Sequence, residues 1–408
     1  MNKIFVKTFG CTLNQKTTEE LTSNSTSVKD IKDADYIFIN TCGVKEQTEF
    51  KIISYLNNLK KNQIPENKII LFGCLVDIDS SKLKKNNPNS IYLGLKDESK
   101  LKKIINTTKI IQKKNKTTET IIIANGCLGS CSYCAVKFAR GKLKSKSIKE
   151  IKKEVEVAIE NGAKEILLTA QDTGCYGFDI NTNIISLLKE LFKINGEFRI
   201  RLGMANPQHL IKFYKELSEL YNNPKLYTFL HIPIQAGDDV VLKKMNRFYT
   251  TKEPKIIIDY LRKKHPRITI ATDIIVGFPE ETDKEFNNTI NYIKEIKPSI
   301  VNISRFGTRK GIEANLLKEV SGQIKKERSR IASKVAREIV IKNNVIFVGQ
   351  ECKILLNEVR DNYTIAGKTQ EYLPVVIKKT KKTKIGDFAN VVITSQKEYY
   401  LFGKIKNN

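Results

Sequence analysis

Short apolar runs of strand length recur along this chain with helix-period segments between them, and that alternation restricts its fold more than any other feature. Near the amino end the runs are Ile4-Phe5-Val6, Tyr36-Ile37-Phe38-Ile39 and Ile69-Ile70-Leu71-Phe72. Between the last two, Phe50 to Leu59 carries apolar residues at 52, 53, 56 and 59, the spacing of one helix face. Strand, helix, strand in sequence predicts a small parallel sheet with crossover helices over residues 1–110. The polar segment Asn106 to Thr120 reads as a linker, and the stretch Gln15 to Lys32 is polar enough to predict a short or loose first crossover.

From Thr120 the alternation restarts. Candidate strands are Ile121-Ala124, Glu165-Thr169, Phe198-Leu202, Tyr227-Ile232, Ile268-Val276 and Ile300-Arg305. Two of the intervening helices open on capping boxes, Ser147 with Glu150 and Thr282 with Glu285, and Gly162 is placed to close the first of them. Six βα units predict an open, partial (β/α)6 barrel over residues 118–343, with its chemistry at the carboxyl ends of the strands. A charged helix from Gln323 to Asn343 ends this region. Residues 344–408 then turn all-β: Val345-Val348, Glu351-Val359, Tyr363-Ala366, Leu373-Ile377, Phe388-Thr394 and Tyr399-Ile405, separated by Gly, Asn and Lys turns. That pattern predicts a small closed barrel. The fold class is therefore α/β, with an all-β tail.

An apolar fraction of 40% excludes wholesale disorder. The amino end has no sustained apolar core of a leader, and no stretch reaches the roughly 18 apolar residues of a membrane span. The expectation is a cytoplasmic protein without a membrane partner. A net charge of +27 favours a polyanionic partner. Lysine, asparagine and isoleucine are abundant throughout, however, so a solvated lysine surface accounts for the same charge equally well.

Cysteine placement carries the chemistry. In a reducing compartment eight cysteines are not read as disulfides, and six of the eight stand in patterns. Cys127, Cys131 and Cys134 form a C-x3-C-x2-C run directly after the first strand of the central region. No fourth Cys or nearby His completes a zinc site, whereas three thiolates suit a 4Fe-4S cluster with one iron open to a small molecule. Cys11, Cys42 and Cys74 each follow a strand by a few residues, in Phe9-Gly10-Cys11, Asn40-Thr41-Cys42-Gly43 and Phe72-Gly73-Cys74. Carboxyl ends of parallel strands share one sheet edge, so three cysteines some thirty residues apart should meet there and hold a second cluster. Cys175 and Cys352 lack such partners and read as structural.

These segments, with Gly10 to Asn14, Ala170-Gln171-Asp172-Thr173-Gly174, His231-Ile232-Pro233-Ile234-Gln235 and Thr272 to Thr282, resemble the radical S-adenosylmethionine methylthiotransferases over essentially the whole chain. The stretch Gly126 to Lys144, Met204-Ala205-Asn206-Pro207 and Phe306-Gly307-Thr308 are similar to the archaeal and eukaryotic branch. The resemblance implies an auxiliary 4Fe-4S cluster on Cys11, Cys42 and Cys74 and a radical cluster on Cys127, Cys131 and Cys134. It also implies S-adenosylmethionine as cofactor, a TRAM-like RNA-binding tail, and N6-threonylcarbamoyladenosine at position 37 of tRNA as substrate. An electron-donor protein and a sulfur source are implied partners. C2 of adenine has neither an acidic proton nor a leaving group, so acid-base side chains cannot activate it; a 5′-deoxyadenosyl radical, made by one-electron cleavage of S-adenosylmethionine, can.

Polar residues within or just after the apolar strands are candidate cofactor or nucleoside contacts: Gln171, Asp172, Arg199, His231, Gln235 and Asp273. Arg199 and Arg201 are two apart and share one strand face, which an outer, structural placement would also explain. His231 fits a satisfied core histidine as well as a ligand. Lys137, Arg140 and Lys142, and the run Lys378 to Lys384, are candidates for tRNA phosphate contacts or for plain solvated surface. Competing functions are methylthiolation of isopentenyladenosine or of a ribosomal-protein aspartate, and a non-catalytic iron-sulfur protein that binds RNA or carries electrons.

Overall fold

The computed structural model describes residues 2–44, 46–105, 116–381 and 383–406. The chain forms two compact units, the first built from residues 1–114, 125–143 and 307–316, the second from 115–124, 144–306 and 317–408.

In the first unit, β1 (Lys3–Thr8), β2 (Thr26–Ser27), β3 (Tyr36–Thr41), β4 (Ile69–Gly73) and β5 (Ile91–Leu93) make a parallel sheet in the order β2-β1-β3-β4-β5. Alternation along the strands feeds two cores. Ile37, Ile39, Ile69 and Leu71 pack with Ile52, Leu56 and Leu59 of α2 (Glu46–Lys61), while Ile4, Phe38, Ile70 and Phe72 pack with Leu21, Leu101 and Ile105 on the other face. The first crossover is neither short nor loose: α1 (Thr12–Thr22) is a regular helix whose buried residues are Leu13, Asn14, Thr18 and Leu21. Its polar face stays dry because it is wired. Thr18 Oγ1 donates to the Asn14 carbonyl, and Asn40 Nδ2 donates both to that carbonyl and to Thr18 Oγ1. The sequence Asn106 to Thr120, read as a linker, lies largely outside the described residues; its last part enters a strand at Thr118.

The second unit carries the central strands β6 (Thr118–Ile122), β7 (Glu165–Thr169), β8 (Arg199–Leu202), β9 (Phe229–His231), β10 (Thr269–Val276) and β11 (Ile300–Arg305). They run parallel in two three-stranded sheets, β8-β7-β6 and β9-β10-β11. Single parallel bridges between Ile200 and Leu226 and between Gln235 and Ile274 extend the pairing. Both expected capping boxes form, on α4 (Ile148–Glu160) and α5 (Asp283–Ile296); α3 (Cys74–Asp79) belongs to the first unit. Outward residues Ile274, Val276 and Val301 pack beneath Phe286, Ile290 and Ile293 of α5 and Ala332 and Ala336 of α6 (Gly322–Asn344). The alternate residues of β10 and β11 face the lumen.

Of the tail, Val345–Phe347 is one 3-10 turn rather than the expected strand, since it continues directly from α6 with Phe347 turned into the tail core. β12 (Glu351–Val359), β13 (Thr364–Lys368), β14 (Pro374–Lys378), β15 (Phe388–Lys397) and β16 (Tyr400–Ile405) then close a five-stranded barrel among the described residues. Cys352 is buried in its core.

Candidate iron-sulfur centres and barrel lumen

The first unit brings each cysteine set together. Cys11 is the N-cap of α1, Cys42 follows β3, and Cys74 opens α3 directly after β4, so all three stand at the carboxyl edge of the sheet. Gly10 makes this edge possible. Its φ is +111°, and a Cβ there would lie 2.5 Å from Cys42 Cβ and 2.8 Å from Cys42 Sγ. Only glycine fits. Burial pushes the Cys42 thiol up to about 11, and Cys11 and Cys74 push it the same way against the N–H of Val44. Burial likewise raises Cys74, against the nearby Arg140 guanidinium.

In the second set, the Gly129 amide donates to Cys127 Sγ at 3.2 Å, and a Cβ on Gly129 would lie 3.3 Å from Cys127 Sγ and 3.7 Å from Cys131 Sγ. Burial pushes Cys134 up to about 11, with Cys131 and Cys127 acting in the same direction. The raised thiols Cys42, Cys74 and Cys134 favour their protonated, neutral form in the absence of a metal. Bound iron reverses that preference, because the cation stabilises the thiolate.

Fit can be tested on spacing. A single tetrahedral ion draws its sulfur ligands to roughly 4 Å from one another. Neither cysteine set has its three sulfur atoms within 4.8 Å; among the described residues the one group that meets this spacing is Asp172, Cys175 and His209. Gly10 and Gly129 leave room against the sulfur atoms of the two cysteine sets, whose residue type suits an iron-sulfur cluster. The Asp172 group is held by its own hydrogen bonds. Asp172 Oδ1 accepts from the amides of Gly174 at 2.8 Å and Asn206 at 3.0 Å, the Cys175 thiol reaches the Asp172 carbonyl at 3.3 Å, and His209 Nε2 meets Gln208 Nε2 at 3.1 Å. Burial raises Asp172 and lowers His209, each the direction that removes a charge.

One residue that the sequence left ambiguous acquires a place here, and a further one, Arg309, joins it. Arg140, a candidate for tRNA phosphate, instead donates from Nη2 to Asn14 Oδ1 at 2.9 Å. Asn14 in turn donates to the carbonyls of Phe9 and Thr41, just ahead of Cys11 and Cys42. Arg309 Nε donates to the Gly43 carbonyl at 3.0 Å, which ties the segment 307–316 beside Cys42.

In the second unit the strand-end candidates separate. Asp172 is fully buried and caps a turn. Gln171 precedes it, with Oε1 buried and hydrogen-bonded to nothing among the described residues. Gln235 sits at φ +75° and exchanges backbone hydrogen bonds with Asp273 and Ile275 of β10. His231 Nε2 meets Asp273 Oδ2 at 2.6 Å, and Asn302 donates to Asp273 Oδ1 at 3.0 Å, so these three share the lumen. Arg199 lies elsewhere: it is the first residue of β8, at the amino end, and its guanidinium stacks 5.0 Å from the Phe388 ring of the tail. Sequence reasoning missed Arg247. Its Nη2 donates to Asn206 Oδ1 and the Pro233 carbonyl, both at 3.0 Å, and Nε donates to Tyr249 at 2.9 Å, linking the loops after β8 and β9. No local pattern marks such a residue, since its partners lie 14 and 41 positions away.

Three family models match in succession: "Uncharacterized protein family UPF0004" over residues 3–94, "Radical SAM superfamily" over 121–293 and "TRAM domain" over 346–406. A "Probable threonylcarbamoyladenosine tRNA methylthiotransferase" of Archaeoglobus fulgidus is 36% identical, across 99% of this chain and 98% of its own length. The chain belongs to the threonylcarbamoyladenosine tRNA methylthiotransferases. The Methanocaldococcus jannaschii relative of this family is 35% identical over 99% of this chain, and the human one is 32% identical over 99% of this chain and 74% of its own length. Among solved structures, the radical S-adenosylmethionine methyltransferase TsrM from Kitasatospora setae superposes with a TM-score of 0.57 at 11% identity, covering 77% of each chain, which is a likeness of fold. For this methylthiotransferase family chain, no helix among the described residues is long and apolar enough to cross a membrane.

Proposed function

We propose that this chain adds a methylthio group to C2 of N6-threonylcarbamoyladenosine at position 37 of tRNA by radical S-adenosylmethionine chemistry. The observation that carries the reading is the pair of three-cysteine sets in one compact unit, each with a glycine where a Cβ would crowd the sulfur atoms. Cys127, Cys131 and Cys134 would hold the radical cluster and Cys11, Cys42 and Cys74 the auxiliary one, each leaving one iron without a protein thiolate. When bound, the first cluster supplies the electron that cleaves S-adenosylmethionine and the second supplies sulfur.

The residues themselves do the positioning. Asn14 and Arg140 fix the turns that carry Cys11 and Cys42, the Asp172–Asn206–Arg247 chain sets the loops after β7, β8 and β9, and His231 with Asp273 presents polar atoms to the lumen. Gln171, Gln235, His231 and Asp273 are the proposed contacts to cofactor or nucleoside. Asp172 acts through the loops it ties, and Arg199 supports the tail. The functional division is 1–110, 118–343 and 344–408, the setting is the cytoplasm, and an electron-donor protein and a sulfur source complete the cycle.

Mass spectrometry of tRNA nucleosides from cells with and without the gene tests this. Loss of the 2-methylthio nucleoside with accumulation of its threonylcarbamoyl precursor is the expected result, restored by the wild-type gene and not by Cys131→Ala. Unchanged nucleosides would overturn the reading.

A further inference from the structure

The lumen of the second unit contains a cation with one buried donor left without a hydrogen bond among the described residues. Arg201, on β8, points toward the lumen: its guanidinium lies 5.0 Å from the Phe229 ring and 5.7 Å from the Tyr372 ring. Those rings, with Tyr227, Ala271 and Ile300, form an aromatic floor at the amino end of the strands. Arg201 Nε is buried and hydrogen-bonded to nothing among the described residues. Glu165 and Asp273 act on this guanidinium from a distance, but a buried donor without a hydrogen bond is costly, and the flat fork matches a carboxylate in two parallel hydrogen bonds.

The carboxylates nearby are already engaged. Asp273 is bonded to His231 and Asn302. Glu165 accepts from Tyr227 at 2.9 Å on one oxygen and from Thr118 at 2.7 Å and Asn357 at 3.0 Å on the other. Neither offers a free pair of oxygens. Farther along the neighbouring strands, Asp273 and Asn302 remain solvent-accessible. The geometry is that of a site for a ligand with a carboxylate on its leading end and polar groups behind it.

We propose that Arg201 binds the carboxylate of the threonyl arm on the substrate nucleoside, and so distinguishes a threonylcarbamoylated adenosine from one with an uncharged N6 substituent. This rests on the function proposed above. Threonine joined to a carbamoyl group through its amine keeps its carboxylate, so the arm ends in the chemistry that the fork is built to take. S-adenosylmethionine also has a carboxylate, and the test must separate the two sources.

The test uses the full chain and two anticodon stem-loop RNAs, one with N6-threonylcarbamoyladenosine and one with the same nucleoside as its methyl ester. The wild type should bind the free acid more tightly by on the order of 10- to 100-fold. Arg201→Met, which keeps apolar contact with Phe229 and Tyr372, should bind both equally, and Arg201→Lys should show an intermediate preference. A preference retained in Arg201→Met overturns the proposal, as does equal binding of both RNAs by the wild type. Equilibrium dialysis with S-adenosylmethionine supplies the other arm: weaker cofactor binding in Arg201→Met with the RNA preference intact assigns the fork to the cofactor and also overturns the proposal. If Arg201→Met does not fold, as read from its melting curve, Arg201→Lys alone decides. Failure of the proposed function itself is seen separately, as absence of methylthiolation of the free-acid RNA by the wild-type enzyme.

Discussion

At the scale of single residues, the decisive property is thiol protonation. Cys42 and Cys134 are each pushed up to about 11, chiefly by burial and further by sulfur neighbours. A free thiol with a pKa of about 8.5 is roughly one-quarter ionised at pH 8, whereas a thiol at about 11 is ionised to about one part in a thousand. In the apo chain, iodoacetamide should therefore modify Cys42 and Cys134 on the order of 100-fold more slowly than an unperturbed thiol at pH 8, with the rate rising about tenfold per pH unit up to about pH 10. Peptide mass spectrometry over a pH series reads this directly. The sign for stability follows from the same shift: the folded-state pKa lies above the unfolded value, so the apo fold is favoured below about pH 8.5 and loses that advantage as pH rises toward 11. Bound iron removes the effect by taking the place of the protons.

At the scale of elements, helix α6 and the turn after β10 are joined by a buried ion pair. Arg328 Nη1 donates to Glu281 Oε2 at 2.7 Å, the same oxygen accepts from the Gly277 amide at 2.7 Å, and Nη2 reaches Asp283 at 2.8 Å. Burial raises Glu281 even so, which marks how much the pair depends on its partner. Replacing the pair by apolar residues can be neutral, but removing one member leaves a buried charge. Arg328→Met should therefore destabilise the chain by about 3–5 kcal/mol, read by urea denaturation, and Arg328→Met with Glu281→Leu should recover much of it. Elements were also where the sequence was most legible. Glu165–Thr169 and Ile300–Arg305 form strands at the expected bounds, because an apolar run flanked by helical segments has few alternatives. Helix α1 was not legible, since its buried Asn14 and Thr18 are polar and become core residues through partners far along the chain such as Asn40 and Thr41, and the exposed two-residue strand Thr26–Ser27 carries no apolar pattern to mark it. The cysteines were legible for the opposite reason, as their chemistry lies in residue type and spacing. His209 and Arg247 carry no such signature and emerge only from packing, and the roles of Asn206 and Arg201, though both stood out in the sequence, come only from their neighbours in the fold.

At the scale of the whole molecule, the tail is not a module hung on a linker. It belongs to the same compact unit as the central strands and supplies parts that those strands lack. Tyr372 completes the lumen floor against Tyr227 and Phe229, at ring distances of 4.8 and 5.0 Å. The Thr228 amide donates to the Gln370 carbonyl at 2.8 Å, Gln370 Nε2 donates to the Leu226 carbonyl at 2.6 Å, Asn357 reaches Glu165, and Arg267 pairs with Glu371 at 3.1 Å. Cutting the chain at Asn344 would leave Phe229 and Tyr227 open to water and Glu165 short of a donor. Exposing two buried aromatic side chains costs about 2–3 kcal/mol each, before the lost hydrogen bonds. The truncated chain should thus melt several degrees lower than the full chain and bind a hydrophobic dye, besides losing affinity for tRNA. A tail that served RNA binding alone would give the opposite pattern: an unchanged melting temperature, and a loss of tRNA affinity restored by fusing back any basic RNA-binding domain. Calorimetry of the full and truncated chains, beside their tRNA affinities, separates the two.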